Sequence, residues 1–532
     1  MTSGSSRHVK TDRRSPSDRE RGSGRGANRV AGGILVSRVL GLVRDRVFAY
    51  FFGSSDFADA WRAALRTPNV VQNLLGEGTL SASLVPVYSE MLEEGRDVEA
   101  GRFAGAALGI LTVVAAGTVL AGWAAAPWIV GLFFPTWDPA KQALTVTLVR
   151  ILFPMTGILV ISAWALGILN SHRRFFVSYV APAFWNVAMI TAMLGGALAI
   201  GLRDQALVVA LAWGALVGGV LQLGWQIPFL LRHLRGFRLS LGRGVEGVQE
   251  AVENFVPVVA AMGVVNLSGW IDLILAGRLA SGAVAVLGYA QTFYMLPISL
   301  FGMSVAASEL PELARMRGQA EQVVAERVAA ALTRVSYFLV PSAIVYLTLG
   351  DVVVAALYQT GAFGIRETLV TWAVLGGYAL GLPASAGSRV LSSAFYALRD
   401  ARTPARVAYI RVAVSTAVGV GLLFPLDQIG FSTLRLGAAG LALGASVGAW
   451  LEYGMLRRAL GIRVGAHGPG TWRVLMFTLA AAIGSGVGVL IQTRLGDLHP
   501  IVVAAIVLPA GGLVYLGTLR ALEALPRSAA RK

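Results

Sequence analysis

The sequence predicts an all-α polytopic membrane protein of about fourteen transmembrane helices, arranged as two related six-helix lobes plus two extra C-terminal helices. Three observations carry that expectation. Apolar residues make up 55% of the 532, charged residues only 14%, and mean hydropathy is +0.66, a balance suited to lipid-facing surfaces rather than to one large soluble core. Apolar segments long enough to cross a bilayer recur along the whole chain. Arginines and lysines sort between alternate connections, with about thirty in the tails and even-numbered loops and about six in the odd-numbered loops, which places both termini in the cytoplasm.

Residues 1–28 are rich in Ser, Gly and Arg without apolar periodicity, and read as a disordered basic cytoplasmic tail beside anionic lipid. The first span follows at 29–53 and is interrupted by Arg38 and Arg44, so it is no cleavable signal peptide. Arg38 and Asp45 are seven residues apart and share a helical face, with Arg44 about 120° away and suited to positioning or an ion pair. The second span, 57–91, places Asp59, Arg62, Arg66, Asn69, Asn73 and Glu77 within roughly an 80° arc. An Arg or Asp at the bilayer centre costs about 2.5–3.5 kcal/mol, so such a stripe is expected to face a wet cavity. Snorkelling to the headgroups is the competing reading for Asp59 and Arg62, near the start of the span. Pro68 and the Gly76-Glu77-Gly78 break fit backbone that lines a cavity.

Further apolar segments lie near 101–134, 138–170, 174–201, 204–232, 247–280, 283–314, 326–350, 366–398, 403–424, 436–460, 470–493 and 499–522. Basic turns, including RHLRGFRLSLGRG at 232–244, ARMRGQ at 314–319 and LRDARTPAR at 398–406, alternate with arginine-poor ones such as FPTWDPAKQ. The pattern around 154–182 recurs at 383–411, and Pro68 with SLVP (83–86) recurs as Pro297 with SELP (308–311). The division is therefore an N-lobe at 29–235 (helices 1–6), a C-lobe at 247–460 (helices 7–12) and helices 13–14 at 470–525. Small-residue runs at Gly101-Gly105-Gly109 and Gly440-Gly444-Gly448 allow close helix approach.

Several function classes drop out. Zero cysteines remove disulfides and thiolate chemistry, and the five histidines are scattered without ligand spacing, so neither a metal nor any other cofactor is expected. Only Lys10, Lys141 and Lys532 occur, none in a Walker loop, so no nucleotide site is expected. The net charge of +16 sits in short loops between spans, which argues for lipid contact rather than nucleic acid. GASVG at 444–448 matches a nucleophile elbow in letters only, since it lies within an apolar span.

At SRVLGLVRD (37–45), ADAWRAALRTPN (58–69), GEG (76–78) and SLVPVYSE (83–90), the chain resembles the MurJ (MviN) family of lipid II flippases, over essentially residues 29–525. The resemblance implies a fold of the multidrug/oligosaccharidyl-lipid/polysaccharide exporter superfamily, with two lobes forming a V around a cationic cavity and helices 13–14 forming a groove for a polyprenyl tail. It also places Arg38, Arg44, Asp45, Asp59 and Glu77 on family motif positions. Two often basic family positions are here Gln72-Asn73 and Thr292; Arg62, Arg66 and Arg278 are the candidate substitutes.

The residues agree with that substrate class. Guanidinium forks form paired, charge-assisted hydrogen bonds to phosphate oxygens, whereas a cationic drug would be repelled. The expected activity is outward movement of undecaprenyl-diphosphate-linked peptidoglycan precursor across the bacterial cytoplasmic membrane by alternating access, by a monomeric transporter with lipid II and membrane lipids as its partners. The rivals are a multidrug antiporter, which should carry carboxylates in place of the arginines, a flippase for another polyprenyl-linked oligosaccharide, and a membrane transferase, which would need a catalytic base on a large outer loop. For ion coupling, Asp272 and Asn266 stand in the seventh span, but the eleventh offers Arg411 and no oxygen ligand beyond hydroxyls.

Overall fold

The computed structural model describes residues 16–306, 308–309, 321–431, 434–465, 468–496 and 498–524, and these are nearly all helical. The first seven helices are α1 (Pro16–Phe52), α2 (Asp56–Leu75), α3 (Glu77–Glu93), α4 (Asp97–Phe133), α5 (Pro139–Ser171), α6 (Phe175–Leu198) and α7 (Asp204–Leu231). After a linker come α8 (Val248–Ala276), α9 (Ala283–Pro297), α10 (Glu321–Tyr358), α11 (Ile365–Ala379), α12 (Leu382–Ala397), α13 (Arg402–Asp427), α14 (Gly437–Val464), α15 (Thr471–Gln492) and α16 (Pro500–Ala524). A π-helical turn, Ile298–Gly302, extends α9 beyond Pro297. The two-residue strands Gly430–Phe431 and Leu434–Arg435 pair antiparallel between α13 and α14.

By length and composition, nine described helices suit a membrane crossing, and ten if the bent pair α11–α12 is one span. That is fewer than the fourteen expected. Helices α1, α2, α3, α8 and α14 fall outside the criterion; in α2 the reason is its charge, with Asp56, Asp59, Arg62 and Arg66 within 20 residues. The N-terminal expectation also changes: residues 16–28 continue α1 as helix instead of remaining unstructured, with Pro16 at the first position and Asp18 and Glu20 following, a favourable helix start. Residues 1–15, ARMRGQ at 314–319, part of SELP, and the side chain of Asn266 lie outside what is described.

Apolar side chains cover the outside as well as filling the interior. Leu120, Trp128 and Leu513 are 68%, 68% and 71% exposed on the outer faces of α4 and α16, as lipid contact requires. The interior holds Phe48, Trp61, Tyr289, Tyr358 and Phe363, brought together from α1, α2, α9, α10 and the connection after α10. Helix α1 packs on α6, α2 on α5 and α9, and α3 on α5 and α8; α15 and α16 pair with each other against α10.

The two glycine runs do different jobs. In α14, Gly440, Gly444 and Gly448 let α13 approach backbone to backbone, as expected. In α4 the partner is not a helix: a Cβ at Gly101, Gly105 or Gly109 would collide with the carbonyl oxygens of Arg235, Arg238 and Ser240. The linker between α7 and α8 is thus seated as an extended strap along α4. Beside it the rings of His172 and His233 lie 4.6 Å apart, tilted by 45°, and His172 Nε2 meets the Tyr88 hydroxyl at 2.9 Å. Burial, followed by the neighbouring His233, pushes the His172 pKa down, Arg174 adds to the effect and Asp97 opposes it. A histidine held neutral in the fold stabilises it above the unfolded pKa, near 6.5, and loses that contribution as pH falls below it. Thermal unfolding is therefore expected to shift downward between pH 7.5 and 5.5, and His172→Gln should flatten the shift; an equal shift in the variant would refute the assignment.

Candidate functional site

Sequence places the charges of α1 and α2 on faces that turn inward, and the structure shows what they meet. Arg44 donates from Nη2 to Asp45 Oδ1 at 2.8 Å and from Nη1 to Asn186 Oδ1 at 3.0 Å, with its guanidinium 5.3 Å from the Trp185 ring. It thereby takes the ion-pair role offered by its position, and Asp45 is buried beneath it. Arg38 points elsewhere: its exposed side chain donates to Ser299 Oγ at 3.0 Å, linking α1 to the π-helical turn after α9.

On α2 the polar stripe faces α8 and α9. Arg62 lies over two rings, 5.4 Å from Phe48 and 5.0 Å from Tyr289. Its Nε and Nη2 are buried without a hydrogen-bond partner among the described residues. A buried donor left unpaired costs about 1–3 kcal/mol, more when charged. Arg44, Asp45, Phe48, Trp61 and Arg62 line a small cavity. One turn on, Arg66 lays its guanidinium on Gly269 of α8, where any Cβ would collide with it. Asp272, one turn further along α8, lies in the field of both Arg66 and Arg411. Asn73 and Glu77 are exposed, on either side of the break at Gly76. Gln72 is half-buried, and Thr292 bonds back to Gly288 O at 3.1 Å as an ordinary helix residue.

Asp59 has a different role from its neighbours. It is 1% exposed and accepts three hydrogen bonds of 2.8 Å, from Lys141 Nζ and from the backbone N–H groups of Gly282 and Ala285. A carboxylate from α2 thus caps the start of α9 from outside, where the helix dipole favours negative charge. Asp56 takes Lys141 at 2.5 Å and the Ser281 hydroxyl at 2.7 Å, and the Lys141 ammonium lies 4.2 Å from the Trp137 ring. The Trp137 indole and Thr136 donate to Gly277 O, Tyr289 to Gly53 O, and the Ala362 amide to Tyr50 O. Arg46 donates to the carbonyls of Ala356 and Leu357 at the end of α10. The bundle is therefore sealed at the end carrying the α1–α2, α4–α5 and α8–α9 connections.

Arg278 is not brought to Arg44 and Arg62. Helix α8 ends at Ala276, so Arg278 falls in the connection after it, exposed and without a polar side-chain partner among the described residues. Sequence reasoning did not single out Lys141, Arg46 or Asn186; among these, Lys141 carried a signal, being one of three lysines in the chain and adjoining an apolar span. The partner of Arg411 also went unread: Arg411 on α13 donates to Glu452 on α14 at 3.1 Å, near Tyr294 and Arg389.

The family model described as Lipid II flippase MurJ matches residues 48–507. A relative from Rhizobium tropici, "Probable lipid II flippase MurJ", is 31% identical over 478 residues, covering 87% of this chain and 86% of its own. Among solved structures, "Lipid II flippase MurJ, inward closed conformation" superposes with a TM-score of 0.73 at 23% identity, covering 92% of this chain and 97% of the other. An inward-facing multidrug resistance MATE family transporter of the MOP superfamily gives 0.65 at 14% identity, covering 82% and 98%, a likeness of fold alone.

Proposed function

This chain belongs to the MurJ family of lipid II flippases, and from that premise we propose that its arginine-lined interior carries the diphosphate of lipid II across the membrane by alternating access. The protein is a multi-pass membrane transporter whose function is to flip lipid II, the polyprenyl-diphosphate-linked precursor of peptidoglycan. The observation that carries the mechanism is Arg62, a buried guanidinium with two unpaired nitrogens, one cavity wall from Arg44. A diphosphate supplies the oxygens this pair lacks. Arg38 and Arg66 extend the cation track along α1 and α2, and Asp45 keeps Arg44 oriented.

In this reading the sealed end faces away from the cytoplasm, the protein works as a monomer in the bacterial cytoplasmic membrane with both termini inside, and residues 29–235 and 247–460 are the lobes that rock. The isoprenoid tail stays in lipid beside helices α15 and α16 while the headgroup crosses within the cavity. Opening the sealed end requires Asp59 to leave the α9 N-terminus; closing it restores three hydrogen bonds.

Translocation of labelled lipid II in vesicles tests the proposal. Arg38→Ala and Arg44→Ala are each expected to abolish flipping and complementation of a flippase-depleted bacterium at normal membrane levels, and lysine at either position should rescue only in part because the fork geometry is lost. Full activity in both alanine variants would sink it. Arg278→Ala should change flipping less than twofold, an effect within about 0.4 kcal/mol; a loss comparable to Arg44→Ala would bring that residue back into the cavity.

A further inference from the structure

Outside the central cavity, α3, α4 and the first turns of α8 border a second, open-sided apolar space, lined by Leu84, Phe103, Ala107, Leu111, Val248 and Phe255 among others. Ser83 supplies the one polar residue of the lining, and its hydroxyl is spent on Thr79 O. The space opens between α4 and α8 at Val114 and Val252, 42% and 44% exposed, on the outer face of the bundle.

The strap between α7 and α8 closes one end of this space. A Cβ on Gly242 would lie 2.9 Å from Val248 and 3.1 Å from Ile110, both lining residues. On either side of Gly242 the strap is basic and apolar in alternation: Arg238, Leu239, Leu241 and Arg243 are all exposed, the two leucines at 66% and 61%. Arg235 is matched by Asp97 at 3.6 Å, and Glu246 is taken by Arg96 at 2.5 Å. Arg238 and Arg243 have no carboxylate partner among the described residues. Glu250 and Glu253 lie on other faces of α8 from Val248, Ala251 and Phe255. At 37 residues, α4 spans about 55 Å against a hydrocarbon core of about 30 Å. Its first turns, where the strap lies, form one end of that length, and the opening at Val114 lies about 25 Å further along, so the strap's arginines stand toward the headgroups and the opening toward the acyl chains.

We propose that this space is a binding site for an anionic phospholipid of the leaflet next to the strap, with an acyl chain between α3, α4 and α8 and the headgroup phosphate on Arg238 and Arg243. Apolar walls select a chain and the two unmatched guanidiniums select a negative headgroup, so phosphatidylglycerol should be held and phosphatidylcholine lost. The site is separate from the arginines of α1 and α2 and does not rest on the transported substrate.

Native mass spectrometry of the full chain released from nanodiscs of equal phosphatidylglycerol and phosphatidylcholine tests it. The wild type should retain one phosphatidylglycerol, as should Arg38→Ala. In Arg238→Gln/Arg243→Gln the preference for phosphatidylglycerol should fall about fivefold per arginine removed. Ala107→Phe, which fills the space, should lose the retained lipid whichever headgroup is offered. Added phosphatidylglycerol should raise the melting temperature of the wild type and leave both variants unmoved, which separates an empty site from a misfolded chain. Equal retention of the two lipids by the wild type, an unchanged preference in the double variant, or an unchanged lipid count in a folded Ala107→Phe would each overturn the proposal.

Discussion

Asp59→Ala is expected to abolish flipping and to leave the sealed end open. The carboxylate is 1% exposed and holds Lys141 Nζ and two backbone N–H groups, each at 2.8 Å. Removing it leaves the Lys141 ammonium, itself 7% exposed, with Asp56 as its remaining carboxylate partner and leaves two amide donors at the start of α9 unpaired. Breaking one side of a buried pair costs about 3–5 kcal/mol, enough to shift a gating equilibrium by two to three orders of magnitude or more. Asp56, already shared with Ser281, is too exposed to compensate, with half of its side-chain surface in solvent. Because the chain has no cysteine, a single Ser54→Cys reports on that end directly. An impermeant thiol reagent should label it at least tenfold faster in the Asp59→Ala background. Replacing both charges, Asp59→Leu with Lys141→Met, removes the half-paired ion and should restore part of the closed population, since apolar substitutes for a buried pair are often neutral. Wild-type labelling and flipping in Asp59→Ala would end the gate assignment.

The same pair shows where sequence reading stops. Asp59 was legible as a charge that must avoid lipid, because hydropathy and helical periodicity are local properties of α2. Its partner was not, since Lys141 is 82 residues away and the Gly282 and Ala285 amides carry no side-chain signal at all. For the same reason Arg44 was readable as an ion-pair candidate through its neighbour Asp45, whereas Asn186, 142 residues on, was not. The glycines of α4 announced a close approach, and only the tertiary arrangement shows that an extended strap, not a helix, makes it. Segment positions followed from apolarity, but the helix breaks at Gly76 and between α11 and α12 depend on packing, so residues 57–91 and 366–398, each read as one span, are two helices apiece.

Collapsing the membrane potential is expected to stop headgroup translocation, whereas replacing sodium by choline at constant potential is not. Helix α13 faces α8 with Arg411 where a cation site would need an oxygen. That guanidinium donates to Glu452 at 3.1 Å and contributes, with Arg66, to the field at Asp272. A sodium ion between α8 and α13 would therefore compete with two fixed positive charges for one carboxylate, and hard cations need several oxygen ligands besides. The substrate itself carries negative charge, and an inside-negative potential drives anions outward with about 2.3 kcal/mol per charge per 100 mV. For a diphosphate bearing about two charges this amounts to about 4–5 kcal/mol, comparable to the cost of opening the Asp59 seal. Valinomycin with potassium in vesicles preloaded with labelled lipid II should reduce outward flipping at least tenfold. Arg411→Gln, which removes one of the charges that would repel a cation from Asp272, should leave this dependence unchanged. A strict sodium requirement at clamped potential, abolished by Asp272→Asn, would instead place a cation site at Asp272 and reject the potential as the sole driving force.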